Sequence, residues 1–343
     1  MPRVSDSKKK RKPHRGKRNA ETAERKTAKW VESGGLERVL AKIESTTGIK
    51  TLPEYPDHFL SHRGRAQVTA TLAKHFPDLT LDQLYLEREE EKLLYPTPSL
   101  HQLDPMHPPY LAARYHNVLK VPAQMALLNA WHALNALNVK YPKPEPQRSK
   151  ASPALHLGIW ETYRLIPIVT TDSRNQPAEV IPAMDFFLSI IGKLIAPRLR
   201  TILRREFPCQ YSRQQRAYER VLILLDSDLK ARPALDFGGA FFTVAAKEGS
   251  SEILHLDFND ERHSISWVVP LGDWTGGEFC LPQLGVKIPL RPGQVLVVMT
   301  KNLVHCTAPI TNGKRIVLTL FCDQYLLKHG DEFLNVPVID YSP

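Results

Sequence analysis

Cysteine is scarce in this chain of 343 residues: four in all, Cys209, Cys280, Cys306 and Cys322, none in a CxxC pair. That count and spacing exclude a disulfide framework and a cysteine zinc cluster, and they favour a reducing compartment. Long apolar runs are also missing. Nothing approaches the roughly 18 consecutive apolar residues of a membrane span, and the N-terminus lacks the apolar stretch of a secretory signal. A soluble, intracellular protein with no membrane partner is expected. A net excess of charge of one sign is nearly absent from most of the chain. The net +10 divides unevenly, because residues 1–29 hold 12 Lys/Arg against 3 Asp/Glu and leave about +1 for everything after them. A nucleic-acid surface on the folded part must therefore be a local patch.

The basic segment contains 8-KKKRKPHRGKR-18. Like charges repel and no apolar residue is present to bury, so residues 1–29 are expected to form a disordered tail. It reads as a nuclear-localisation signal, a phosphate-binding arm, or both, with a merely solubilising tail as the plainer reading.

From residue 30 to 140 the pattern reads as mostly helical. Leu36, Val39, Leu40 and Ile43 fall at helical spacing, residues 79–94 read as a solvated helix face around 87-EREEEK-92, and 122–138 form an amphipathic helix with Pro122 near its start. Residues 141–153 are rich in proline and polar groups and are expected to be a linker or surface loop. Residues 155–169 suggest a strand or strand pair. Asp185 looks like the N-cap of a long helix over 186–207 that Pro197 should kink or split, and a second helix is expected near 213–230. Lys193, Arg198, Arg200, Arg204, Arg205, Arg213, Arg216 and Arg220 lie along these helices. They read either as a solvated face or as a phosphate-facing surface.

After residue 237 the texture changes to short strands, expected at 240–247, 252–258, 263–270, 277–281, 286–290, 294–299 and 315–322. Turn signals such as Gly249-Ser250, Gly276-Gly277, Pro292-Gly293 and Asn312-Gly313 separate them. Helices first and strands later argue for an α+β protein with a jelly-roll or cupin-like core, residues 154–343, supported by N-terminal helices.

Within the strand series stands 255-HLDFND-260. Leu254, Leu256 and Phe258 alternate with His255 and Asp257, so the imidazole and the carboxylate share one face of an extended segment. Residues i and i+2 on such a segment can ligate one ion. His305, just beyond the apolar run 294-QVLVVM-299, is the best third ligand. Two histidines and a carboxylate make the facial triad of non-haem Fe(II), which leaves coordination positions open for a co-substrate and dioxygen. Arg315, ten residues after His305, offers a fork for the distal carboxylate of 2-oxoglutarate.

The order HxD, then 276-GGEFCLPQLGVKIPLRPGQVLVV-298, then His305 and Arg315 resembles the Fe(II)/2-oxoglutarate dioxygenases of the double-stranded β-helix fold. Within them it is similar to the TET/JBP group, most of all to its fungal members, over about residues 237–325. The resemblance implies oxidation of a methyl group on a methylated DNA base, usually 5-methylcytosine to 5-hydroxymethylcytosine and further oxidised forms. It implies His255, Asp257 and His305 as metal ligands and Arg315 as the co-substrate contact, with Fe(II), 2-oxoglutarate and O2 as the reacting set. The Cys-rich zinc region of animal relatives is absent.

A base stacked in duplex DNA must be flipped to reach a buried metal. Phe258 and Trp267 are candidate stackers, and Asn259, Asp260 and His263 are candidate polar contacts, with Asn259 preferred. The plainer readings make Phe258 and Trp267 core, Asn259-Asp260 a turn, and Cys306 a buried thiol. Other readings remain at this level: a demethylase of N6-methyladenine, an enzyme acting on RNA or a protein side chain, a non-catalytic cupin-like module, or a zinc hydrolase. Succinate release dependent on Fe(II) and O2 separates the dioxygenase readings from the last two.

Overall fold

The computed structural model describes residues 81–89, 92–97, 106–143, 153–161, 166–257 and 259–333, together with Arg25 and Lys29. The basic run 8–18, the apolar pattern over 36–43, most of the proline-rich stretch 141–153, and Phe258 lie outside the described residues.

The strands in chain order are β1 (Tyr85–Leu86), β2 (Leu93–Pro96), β3 (Tyr110–Tyr115), β4 (Leu155–Glu161), β5 (Pro167–Val169), β6 (Thr243–Glu248), β7 (Ser266–Gly276), β8 (Phe279–Leu281), β9 (Val286–Ile288), β10 (Val295–Val298), β11 (Cys306–Thr307) and β12 (Ile310–Phe321). They make an eight-stranded sheet, β2-β3-β10-β7-β12-β6-β4-β5, and a four-stranded sheet, β1-β9-β8-β11. The chain shuttles between them. It leaves β6 in the large sheet and touches the small sheet through an isolated His255–His305 bridge. It returns as β7, forms β8 and β9, returns as β10, crosses to β11 and closes with β12. This interleaving is the double-stranded β-helix, and the bridge places the HxD segment beside β11. Residues with apolar side chains on both faces supply the central strands: every residue of β10 is buried, as expected for a strand covered on both sides.

The N-terminal part departs from the helical expectation. Within the stretch expected as a helix face over 79–94, the described residues 81–89 and 92–94 form no α-helix; a short turn at Leu81–Gln83 leads into β1, which pairs in parallel with β9, and β2 and β3 extend the large sheet from β10. Asn312-Gly313 is not a turn but lies inside β12, where the register shifts against β7.

The helices are α1 (Val121–Asn135), α2 (Thr171–Arg174), α3 (Val180–Leu194), α4 (Ala196–Glu206), α5 (Pro208–Leu224), α6 (Asp226–Ala231) and α7 (Gln324–Phe333). Pro122 sits in the first turn of α1 and Pro197 in the first turn of α4, where a missing N–H costs nothing. Pro197 therefore does split the long apolar segment, at Ile195. Asp185 is not a cap. It lies inside α3, and its carboxylate meets Arg232 at 2.5 Å. The stretch Val180–Glu206 is long and apolar enough to cross a bilayer by composition. Its Met184, Phe187, Leu188, Ile191, Leu199 and Leu203 are instead fully buried in the core.

A buried ion pair ties the helical layer to the sheet. Arg220 of α5 reaches Glu161 at the end of β4 at 2.5 Å, with both side chains nearly inaccessible, and His329 of α7 adds a contact of 2.7 Å to the same carboxylate. Removing one partner leaves an uncompensated buried charge, at about 3–5 kcal/mol. Arg220→Ala is expected to lose stability on that scale in urea unfolding, whereas Arg204→Ala, exposed on α4, should fall within about 0.5 kcal/mol of the parent.

Candidate metal centre and co-substrate pocket

His255 and His305 face each other across the isolated bridge, each donating its backbone N–H to the other's carbonyl at 3.0 Å. This mutual pair sets the separation of the two imidazoles, whose centroids are 4.3 Å apart. Each ring is oriented by its own segment. His255 Nδ1 bonds the Ile253 carbonyl at 2.6 Å and His305 Nδ1 bonds the Leu303 carbonyl at 2.9 Å. A carbonyl only accepts, so Nδ1 carries a proton in both, which leaves Nε2 as the nitrogen that can ligate a metal. His305 Nε2 lies 3.8 Å from Asp257 Oδ2. One ligand atom from each of His255, Asp257 and His305 falls within 4.8 Å of the others, and the histidines are buried. Phe279 stacks on the His305 ring at 5.3 Å and 15°. Two imidazoles and one carboxylate, converging at this spacing, fit an Fe(II) ion held on one face.

Arg315 is 2% exposed. Its Nη1 donates to the Gly277 carbonyl at 2.7 Å and its guanidinium lies 5.5 Å from the Trp274 ring. Its Nε has no hydrogen-bond partner, and among the described residues no carboxylate comes within ion-pair distance of it. Burial pulls its pKa down to about 10, against a smaller opposing effect of Glu278, so it remains a cation at neutral pH. A buried guanidinium with donors to spare is costly until an anion joins it. A planar carboxylate is the group that matches its fork, which fits the distal end of 2-oxoglutarate. Gly277 has φ +69°, and a Cβ there would sit 2.9 Å from Arg315 Nη1, so the Gly-Gly turn makes room for this side chain. On β12, Arg315 pairs with Gly272 and Leu320 with Trp267. Arg315 therefore lies roughly 17 Å along the strand from the Trp267 end.

The remaining candidates separate. Trp267 is fully buried, and its ring meets Phe207 of the helical layer edge-on at 6.2 Å; it is core and not a base stacker. Asp260 is also not a surface contact. It is 4% exposed and accepts from Ser266 Oγ at 2.7 Å and Thr300 Oγ1 at 2.6 Å. Burial, then the nearby charge of Asp257, raises its pKa well above the ordinary carboxylate range. Asn259 is exposed on the turn two residues after Asp257. His263 is partly buried against His107, with ring centroids 5.4 Å apart. Cys306 is a buried free thiol, paired in register with Cys280 across β11 and β8.

Several residues that frame the site carry no local signature. Gln283 accepts from Val304 N and donates to the Asn302 carbonyl at 3.1 Å, bracing the approach to His305. Glu261 is held by Arg213 at 2.8 Å. Burial opposes its charge, but His263 and Arg213 outweigh burial and bring it down to about 2. Arg213 also meets Asp331 at 2.8 Å, and Arg216 meets the same carboxylate at 2.5 Å. With Arg220 paired to Glu161, the α5 part of the basic stripe is internal structure and not a phosphate-facing surface. Lys193, Arg200, Arg204 and Arg205 are exposed. A cavity of about 970 Å³ borders Arg315 between α1, the segment 248–253 and β12, and none of the three candidate ligands lines it.

Residues 229–321 match the CMD1/TET dioxygenase C-terminal domain family, a span that contains His255, Asp257, His305 and Arg315. No curated protein matches the chain. Among solved structures, NgTET1 in complex with 5mC DNA is 18% identical, with 78% of this chain and 92% of that chain covered and a TM-score of 0.45. An oxidoreductase of the 2OG-Fe(II) oxygenase family from Burkholderia pseudomallei is 14% identical over 69% of this chain and 93% of that one, with a TM-score of 0.38. A prolyl hydroxylase from Trichoplax adhaerens, in complex with a hypoxia inducible factor peptide fragment, is 12% identical over 64% and 86%, with a TM-score of 0.34.

Proposed function

We propose that this TET-like 2-oxoglutarate-dependent dioxygenase oxidises the methyl group of 5-methylcytosine in DNA, to 5-hydroxymethylcytosine and further oxidised forms. The observation that carries the reading is the family match over residues 229–321, which falls on the segment holding the three ligands and Arg315. When bound, Fe(II) with 2-oxoglutarate and O2 inserts one oxygen atom into a C–H bond while the keto acid loses CO2 to become succinate.

The chain's own residues hold and orient that set. His255 and His305 present Nε2, Asp257 presents a carboxylate oxygen, and the carbonyls of Ile253 and Leu303 keep both tautomers fixed. Arg315 takes the distal carboxylate and so points the reactive end of the keto acid towards the triad. Asn259 is the proposed contact to the base edge, supported by its exposure beside Asp257. Phe258 keeps the role of stacker for a flipped base. The basic run 8–18 supports import into the nucleus and a further grip on phosphates.

The ligands alone do not choose between a ring methyl and an N-methyl group, so the test runs both. Methylated duplexes carrying 5-methylcytosine or N6-methyladenine are incubated with the protein, Fe(II), ascorbate and 2-oxoglutarate, and the nucleosides are resolved by mass spectrometry. The expected products are 5-hydroxymethylcytosine and its formyl and carboxyl successors. Unmodified adenine with formaldehyde, and no change to 5-methylcytosine, would reassign the substrate.

A further inference from the structure

We propose that Gln283 is a positioning residue for the metal centre: its amide holds the loop before His305 so that the Leu303 carbonyl aims the His305 imidazole at the ion. The role rests on the reading of His305 as a metal ligand. Gln283 is 9% exposed and sits in the middle of the short 3-10 turn Pro282–Leu284 between β8 and β9. Pro282 opens that turn. Gly285 closes it in the left-handed region at φ +68°, with its N–H on the Pro282 carbonyl at 3.0 Å. The path of the chain is thereby tightly set. β8 lays the Phe279 ring against the His305 ring, and the turn that follows delivers the Gln283 amide to the main chain of the same histidine's loop.

The amide grips both neighbours of Leu303. Its Oε1 accepts from Val304 N, and its Nε2 donates to the Asn302 carbonyl at 3.1 Å. A main-chain N–H needs an acceptor and a carbonyl needs a donor, so one orientation of the amide serves both. Leu303 lies between them, and its carbonyl accepts from His305 Nδ1 at 2.9 Å. The rest of the loop is tied by main-chain bonds. Asn302 N and Leu303 N both donate to the Met299 carbonyl, at 3.0 and 2.9 Å, and His305 N donates to the His255 carbonyl at 3.0 Å. From Asn302 to His305, then, Val304 is the residue whose N–H is taken by a side chain, and that side chain comes from 21 residues away along the chain. A ligating imidazole is oriented by the group on its other nitrogen, and loosening that group costs metal affinity. Gln283 acts one step further out, on the carbonyl that does the orienting.

The test measures Mn(II) binding to the metal-free full chain by isothermal titration calorimetry, beside urea unfolding of the same metal-free samples. Mn(II) stands in for Fe(II), so the result does not depend on turnover. Gln283→Met keeps the length of the side chain and removes both bonds. Its Kd for Mn(II) is expected to rise about ten- to a hundredfold. Gln294→Met is the control. Gln294 is also buried and also grips main chain, with Oε1 on Arg291 N and Nε2 on the Glu89 carbonyl, both at 2.9 Å, but it does so at the start of β10, the end away from the His305 loop. That variant is expected to lose stability on a similar scale and to keep the parent's Kd. Gln283→Glu retains an acceptor for Val304 N. Its Kd is expected to lie between the parent and Gln283→Met, and it carries the test if the methionine variant does not fold. A Kd unchanged in both Gln283 variants, or one that rises equally in Gln294→Met, overturns the positioning role alone. Mn(II) binding that is indifferent to His305→Ala overturns the ligand reading and the role with it.

Discussion

Asp257→Ala is expected to lower succinate formation by about a thousandfold or more while leaving the apoprotein as stable as the parent. The loss follows from the metal's share of the reaction, several kcal/mol of charge stabilisation, at about 1.4 kcal/mol per factor of ten. With one carboxylate gone, two neutral imidazoles remain to hold a doubly charged ion. The stability side follows from what Asp257 does in the unloaded protein. Its charge raises the pKa of the buried Asp260, so removing it relieves a repulsion. The measurement pairs succinate release with urea unfolding of the metal-free protein. Turnover that persists in the variant would remove Asp257 from the ligand set, and a collapse of the apoprotein would mean that the side chain holds the fold.

Arg315→Ala is expected to raise the 2-oxoglutarate KM by about ten- to a hundredfold, the worth of charge-assisted hydrogen bonds of roughly 1.5–3 kcal/mol. Arg315 is 2% exposed and its Nε has no partner among the described residues, so the co-substrate should supply what they do not. The parent should therefore gain thermal stability from 2-oxoglutarate, and the variant should gain much less. Arg315→Lys should recover little, because an ammonium is a point charge and not a fork. A KM and a thermal shift identical to the parent would place the keto acid elsewhere.

The candidate metal ligands are legible in the sequence because their signal is local and chemical. Alternation put His255 and Asp257 on one face, and the apolar run of β10 pointed to the next histidine. What escaped depends on distance. The basic stripe on α5 looked like a surface because its acids lie far along the chain: Glu261 is 48 residues from Arg213, Glu161 is 59 from Arg220, and Asp331 is 118 from Arg213. The stretch 87–92 carries a helix-like run of charges, yet its flanks are claimed by β9 and β3, partners that no local propensity announces. Tyr110–Tyr115, with Ala-Ala-Arg at its centre, falls in the region expected to be mostly helical, yet it is a strand because β10 pairs with it. Alternation also does not say which face meets the helices, which leaves Trp267 open between base stacker and core; its edge-on packing against Phe207 makes it core.

The reciprocal hydrogen bonds between His255 and His305 involve main-chain atoms alone, so the gap between the two imidazoles is drawn by the path of the polypeptide. Losing its ion should cost this protein its reactivity and not its shape. Chelation is therefore expected to end turnover and leave the chain folded, with activity restored on adding Fe(II) and no refolding step.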